Sequence, residues 1–202
     1  MHSHEQQFFN ELAERWDELR ALNHVKITYL IQLAGVSEGD NVLDVGTGTG
    51  VLIPFLAKAV GESGSVTALD FAEAMVAKAA QKNAHLSGVG YIAADIMKYQ
   101  PKHCYSKVVC LNFFPHVKDK PAFLSQVWSL LIPNGSLVIM HDISRQAVNS
   151  IHEASEAVKE DRLPPSFVVA EMLKQSGFVI EEAFDNEEIY FVKGKVGETN
   201  KK

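Results

Sequence analysis

Hydrophobic positions along the chain follow two rhythms, and the switch between them locates the elements. From Glu5 to Arg20, Phe8, Leu12, Trp16 and Leu19 recur at helical spacing on an otherwise charged segment. A second amphipathic stretch runs from His24 to Leu33 and continues to Gly35. Beyond it, short apolar runs alternate with helical patterns. Strands are predicted at Val42–Val45, Ser65–Leu69, Gly90–Ala94, Lys107–Asn112 and Ser136–Met140. Helices are predicted at Val51–Val60, Ala72–Ala84 and Lys120–Leu131, and from Arg145 to Lys159. Pro164-Pro165 introduces a further helix, Ser166 to Ser176, which Gly177 closes. Phe178–Ala183 and Ile189–Val192, separated by Asp185-Asn186, read as a hairpin. Strand–helix units followed by a hairpin predict an α/β fold: a doubly wound, mostly parallel seven-stranded sheet with an antiparallel C-terminal hairpin strand. No repeat or low-complexity linker interrupts the pattern, so one domain is expected. Residues 1–36 form its helical lid or flank, 37–194 its core and 195–202 a disordered tail.

The first strand runs into the stretch with the most pointed chemistry, Val42-Leu43-Asp44-Val45-Gly46-Thr47-Gly48-Thr49-Gly50. Glycine lacks a Cβ and tolerates positive φ, so a ligand can approach such a turn closely. Asp70 ends the next apolar run, where a carboxylate accepts hydrogen bonds from both hydroxyls of a ribose. Turn and acid together read as a nucleoside site. The spacing Gly46, Gly48, Gly50 departs from GxGxxG, whose third glycine would fall on Val51. Asp44 stands where nicotinamide-binding strands usually carry an apolar residue. No Gly-Lys-Ser/Thr follows, so a phosphate loop is also excluded.

Composition narrows the partners. A net charge of −6 and a pI of about 5.7 argue against nucleic acid. Cys104 and Cys110 form no CxxC pair, and buried or inert thiols are expected of them in a reducing cytoplasm. The polar start, Met1-His2-Ser3-His4-Glu5, lacks the apolar core of a signal peptide, and no run reaches the length of a membrane span. A cytoplasmic protein with no membrane partner is expected; its oligomeric state is not legible.

In the details of these motifs the chain resembles the class I S-adenosylmethionine-dependent methyltransferases, and within them the broad small-molecule "type 11" group, from about Gly39 to Val192. Val42–Gly50 looks like the family's first motif. Ala94-Asp95-Ile96 resembles the segment after strand three, and Asn112-Phe113-Phe114-Pro115-His116-Val117-Lys118-Asp119 the segment after strand four. Leu130-Leu131-Ile132-Pro133-Asn134-Gly135 followed by Ser136–Ile139 is similar to the signature that leads into strand five. The resemblance implies S-adenosyl-L-methionine as cofactor. It puts Gly46, Thr47, Gly48 and Gly50 beneath the methionine part and Asp70 on the ribose, with Phe71 beside it. Asp95 would meet the adenine amino group and Ile96 the ring, and Asp44 and Asn112 join the cofactor contacts. Asn134 replaces the usual glycine but tolerates left-handed backbone. Lys107 stands where an acid often opens strand four. Plainer roles stay open: Asp44 ordering the turn, Asp95 capping a helix, Phe71 and Ile96 as core.

Methyl transfer from a sulfonium is an in-line displacement, so the protein supplies alignment and desolvation. A base helps only where the acceptor holds a proton at neutral pH. His116 and His141 are the candidates for that role, against the alternative that neither acts. A metal held by His116, His141, Asp142 and His152 is disfavoured by their spacing, and none is expected. Phe113, Phe114 and Pro115 would shape an apolar pocket for a small-molecule acceptor; Phe8, Trp16 and Tyr29 would line a lid or merely pack between helices. Two rival readings remain, a non-catalytic protein that binds the same cofactor and a nicotinamide-dependent reductase.

Overall fold

The computed structural model describes residues 3–18 and 23–197. Leu19, Arg20, His2 and the end of the expected tail, 198–202, lie outside the described residues. The chain divides into two compact units, Met1–Tyr99 and Gln100–Lys202.

The first unit comprises α1 (Ser3–Leu12), α2 (His24–Ala34), β1 (Asn41–Val45), α3 (Ile53–Val60), β2 (Ser65–Asp70), α4 (Glu73–Lys82) and β3 (Val89–Ala93), closed by a short 3-10 turn at Ile96–Lys98. β2 lies between β1 and β3, and both pairings are parallel. Val42, Leu43, Asp44 and Val45 are all buried, as expected of a parallel strand covered on both faces. Register matters here: Val45 stands beside Leu69 and Asp70 beside Ala93, so the carboxyl ends of the three strands come out at one level. α2 starts on an Asn23 cap, which accepts from the Lys26 amide at 3.1 Å, and stops at Gly35.

In the second unit the elements are β4 (Tyr105–Leu111), a 3-10 turn at Phe114–His116, α5 (Lys120–Leu130), β5 (Leu131–His141), α6 (Arg145–Glu153), α7 (Ser166–Gln175), β6 (Phe178–Asp185) and β7 (Tyr190–Val196). β4 pairs parallel with β5, while β7 pairs antiparallel with both β5 and β6. The predicted hairpin is present, and its second strand is the one seated against β5. Among the described residues, no helix is long and apolar enough to cross a membrane.

Some predicted boundaries moved. The first helix ends at Leu12 rather than Arg20; Arg15 N–H and Glu18 N–H bond three residues back, because Ala13 and Trp16 turn inward to pack with Ala72 and Met75. The helix expected to reach Lys159 stops at Glu153. β5 begins at Leu131, pairs once with Tyr105, and regains register only at Ser136, after Asn134 adopts φ 62°. Asp185 belongs to β6, and the turn is made by Asn186, whose side chain accepts from the Glu188 and Ile189 amides. Cys110 is buried and Cys104, just before β4, is exposed.

Gly50 is where the turn after β1 meets the core. It adopts φ +80°, and a Cβ there would stand 2.8 Å from Ile53 Cδ1, 2.8 Å from Asn83 Nδ2 and 2.9 Å from the Ala79 Cβ. Ile53 and Ala79 belong to the cluster that packs α3 and α4 onto β2. Gly50→Ala therefore combines backbone strain with overpacking, and urea titration is expected to show a loss of at least about 2 kcal/mol. An unchanged midpoint would mean that this packing yields.

Candidate functional site

In the first unit the turn is hung from the end of β2. The Gly46 and Thr47 amides both donate to the Leu69 carbonyl, at 2.8 and 3.0 Å. Gly46 and Gly48 take φ 71° and 54°. Asp70 then engages both sides of the site: Oδ2 accepts from the Gly48 amide at 2.9 Å, and Oδ1 from the Ala72 amide at 2.9 Å. One carboxylate thus orients the glycine turn and the approach to α4. A carboxylate oxygen can accept more than one hydrogen bond, which is the chemistry that a ribose diol calls for.

Asp44 lies beneath, 1% exposed, and its Oδ2 accepts from the Thr47 hydroxyl at 2.7 Å. The turn-ordering role weighed for it is therefore present. Burial pushes its pKa up to about 7; the Thr47 bond opposes that rise and the nearby Asp70 charge adds to it. Asp95 caps the 3-10 turn, accepting from the Met97 amide at 2.9 Å, so its capping role is present too, and Ile96 is buried.

Above the turn runs the segment after α1. The indole Nε1 of Trp16 is the nearest group to a Cβ placed on Gly48, at 4.0 Å. Asp17 accepts from the Thr49 hydroxyl and from Lys82 Nζ, both at 2.5 Å. Burial would raise the Asp17 pKa, but these two donors outweigh it and hold the carboxyl below its ordinary value. Phe9 meets Phe71 and Trp16 edge-on, at 5.9 and 5.6 Å between centroids, and Phe8 packs on Phe9. Gln6 Nε2 donates to the Phe71 carbonyl at 2.6 Å. Tyr29, the other proposed lid residue, is half exposed.

In the second unit the polar candidates form two groups. Asn112, at φ 55°, follows β4; its amide donates to the Met140 carbonyl at 2.9 Å and its Nδ2 to Asp142 Oδ1 at 3.0 Å. His141 is buried, with its ring edge-on to Tyr190 at 5.6 Å. His116 belongs to the other group. Its Nδ1 is 2.7 Å from Asp161 Oδ2, while Lys118 Nζ donates to Asp161 Oδ1. His152 stacks at a tilt on His116, 5.0 Å away, and its Nδ1 binds the Asp161 carbonyl at 2.8 Å. His116 and His152 are thus brought together, whereas His141 packs on a different neighbour. Among the described residues, no three His, Cys, Asp or Glu side chains are arranged to hold a metal ion. Phe114 is buried and Phe113 packs on Phe123.

Asp161, Lys82 and Asp17 are the residues that sequence reasoning missed. Asp161 sits in Lys159-Glu160-Asp161-Arg162, which reads as a solvated charge run. Nothing local marks the one residue of that run that turns inward.

The glycine turn, the acid that ends β2 and the seven-stranded, mostly parallel α/β arrangement match a Rossmann-like methyltransferase fold, and a family model described as a methyltransferase domain matches residues 42–135. Over that stretch the chain is similar to S-adenosylmethionine-dependent methyltransferases. It is 33% identical over 149 residues to the ubiquinone biosynthesis O-methyltransferase of Leptothrix cholodnii, covering 68% of this chain and 61% of that protein. The chain therefore spans about three-fifths of that relative's length. A SAM-dependent methyltransferase from Aquifex aeolicus matches the fold with a TM-score of 0.75 at 22% identity, over 91% of this chain and 98% of that one. Magnesium protoporphyrin IX methyltransferase from Synechocystis PCC 6803, solved with bound S-adenosylhomocysteine, matches with a TM-score of 0.71 at 19% identity, over 95% and 97%.

The buried Asp44 carboxyl gives the fold a pH signature. Below its unfolded value of 3.8 both folded and unfolded states hold the proton; between 3.8 and about 7 only the folded state does. Asp44's contribution to stability therefore falls as pH rises through that window, by up to about 4 kcal/mol. Asp44→Asn removes the titration. Urea midpoints at about pH 5 and about pH 8 should show the variant gaining on the wild type at the higher pH. A difference that does not change with pH would mean Asp44 is ionised in the fold.

Proposed function

We propose that this chain binds S-adenosyl-L-methionine on the glycine turn of its first unit and transfers the methyl group to a small, partly apolar molecule. The observation that carries the reading is Asp70: a buried carboxylate at a strand end, oriented by two backbone amides beside a glycine turn. Gly46, Thr47 and Gly48 form the floor, with Asp44 beneath and Gly50 anchoring the turn to the core. Phe71, Asp95 and Ile96 stand along the same strand ends and supply the remaining contacts to the nucleoside. The Trp16–Asp17 segment serves as a strap over the floor. The bound cofactor supplies an electrophilic methyl on a positively charged sulfur. Everything else falls to the chain, which must hold the ribose, exclude water and take up a proton.

Asn112 and His116 follow β4, at the level where open α/β sheets hold ligands, and enter the proposal as a ligand contact and the general base. The base removes the acceptor's proton as the acceptor's lone pair forms the bond to the methyl carbon and the carbon–sulfur bond breaks. His141, buried against Tyr190, has less access to an acceptor. The O-methyltransferase named for the Leptothrix relative favours a hydroxyl acceptor. We place the reaction in the cytoplasm, in keeping with free thiols at Cys104 and Cys110.

Calorimetric titration tests the reading. Wild-type protein is expected to bind S-adenosylhomocysteine, and Asp70→Ala to weaken that affinity tenfold or more, about 1.4 kcal/mol or above for lost charge-assisted bonds. Binding of NAD(H) instead of S-adenosylhomocysteine would overturn the assignment. An unchanged affinity in a folded Asp70→Ala protein would remove Asp70 from the ribose.

A further inference from the structure

Asp161 is 2% exposed, yet it lies in the irregular segment between α6 and α7 among charged neighbours. Burying a carboxylate is costly unless it is paired, so its surroundings were arranged around it. Both oxygens are engaged: Oδ2 by His116 Nδ1 at 2.7 Å, Oδ1 by the Lys118 ammonium. Burial would raise its pKa, but these two donors outweigh that and keep it below the ordinary carboxylate value, hence anionic. The backbone around it is pinned twice to α6. His152 Nδ1 holds the Asp161 carbonyl, and the Asn149 side chain makes a reciprocal pair with Leu163, at 2.8 and 3.2 Å. The carboxylate is therefore fixed before any ligand arrives.

An anionic oxygen 2.7 Å from Nδ1 requires a proton on that nitrogen. In the neutral ring the lone pair then resides on Nε2. We infer that Asp161 is a positioning residue for the general base: its carboxylate accepts Nδ1–H, fixes the His116 tautomer, and thereby presents the Nε2 lone pair to an acceptor that carries a proton. This rests on the reading of His116 as the base. Lys118 donates to the other oxygen and adds to the forces that keep the carboxylate anionic, while the Nδ1–H contact alone orients the ring. The arrangement has the division of labour of a His–carboxylate pair in acyl transfer, reached here on an unrelated fold. It also narrows the acceptor class. A tertiary amine or a thioether has no proton to give up, whereas a hydroxyl, above all an acidified aromatic one, uses such a base fully. The other ionisable groups that face the cluster are Lys118 and Lys120 from the segment of His116, His152 from α6, and Arg162, which is engaged by Glu153.

Imidazole nitrogen-15 spectra of the full chain test the inference without an acceptor in hand. At about pH 7.5 the wild-type His116 signals should show a protonated Nδ1 and an unprotonated Nε2. In Asp161→Asn, the Lys118 ammonium keeps the amide oxygen and the NH2 group faces His116. Its tautomer should therefore invert, while S-adenosylhomocysteine affinity stays within about twofold. Lys118→Met should leave the wild-type tautomer in place, and this variant keeps the test decisive if Asp161→Asn does not fold. An imidazolium or an Nε2–H tautomer in the wild type, or an Asp161→Asn protein that keeps the wild-type tautomer, overturns the role of Asp161. Failure of the wild type to bind S-adenosylhomocysteine overturns the methyltransferase reading instead and leaves the tautomer result standing.

Discussion

One carboxylate organises the first unit. Asp70 accepts from the Gly48 amide with one oxygen and from the Ala72 amide with the other. The glycine turn needs positive φ at three positions, which costs chain entropy, and it exposes amides that a neighbouring strand cannot satisfy. A strand end can offer carbonyls to such a turn, and Leu69 does so for Gly46 and Thr47. Only a side-chain acceptor reaches past that point to Gly48. The parallel register that puts Val45 level with Leu69 makes the reach possible, and the packing of Ile53 and Ala79 around Gly50 fixes the turn's other end. Fold and site are thus one constraint: moving Asp70 by a residue would turn its side chain to the other face of the sheet.

How much of this was legible in the sequence follows from which interactions are local. The core strands and the helices after them were readable because period and punctuation are short-range signals. So was the pairing of the glycine turn with the strand-end acid, which the structure joins through the Gly48 amide and Asp70. Asn134 was rightly expected to survive in left-handed backbone. The misses are tertiary. Trp16 continues the helical spacing of Phe8 and Leu12, yet leaves the helix because Ala13 and Trp16 have a better surface in Ala72 and Met75. Asp161 meets His116 across 45 positions of chain, and no pattern in either segment announces the other.

Two buried aspartates show how neighbours decide the charge of one residue type. Asp44 and Asp161 are 1% and 2% exposed. Asp44 receives a single neutral hydroxyl and looks toward another acid, so desolvation wins and the carboxyl keeps its proton to about pH 7. Asp161 receives an ammonium and an imidazole, and its charge is retained despite the same loss of water. The first arrangement suits a turn that must stay ordered without placing a second full negative charge beside Asp70. The second suits a group whose task is to orient a neighbouring ring. Burial alone predicts the same direction for both, and only the identity of the donors separates them.

The strap over the glycine turn is held on a different energy scale from the turn itself. Its ion pair, Asp17 with Lys82, has side chains 42% and 33% exposed, and pairs so placed contribute about 0–1 kcal/mol. The edge-on contacts of Phe9 with Phe71 and Trp16 add about 0.5–1.5 kcal/mol each beyond the area they bury. A few such terms sum to no more than a ligand can offset by differential binding, since a hundredfold preference is about 2.7 kcal/mol. The turn is built differently. Its glycines, the Asp70 bonds and the packing at Gly50 cannot be released one at a time without exposing buried amides. A firmly built turn beneath a weakly fastened segment is the combination that the proposed nucleoside site calls for, and the difference traces to how deeply each set of groups is buried.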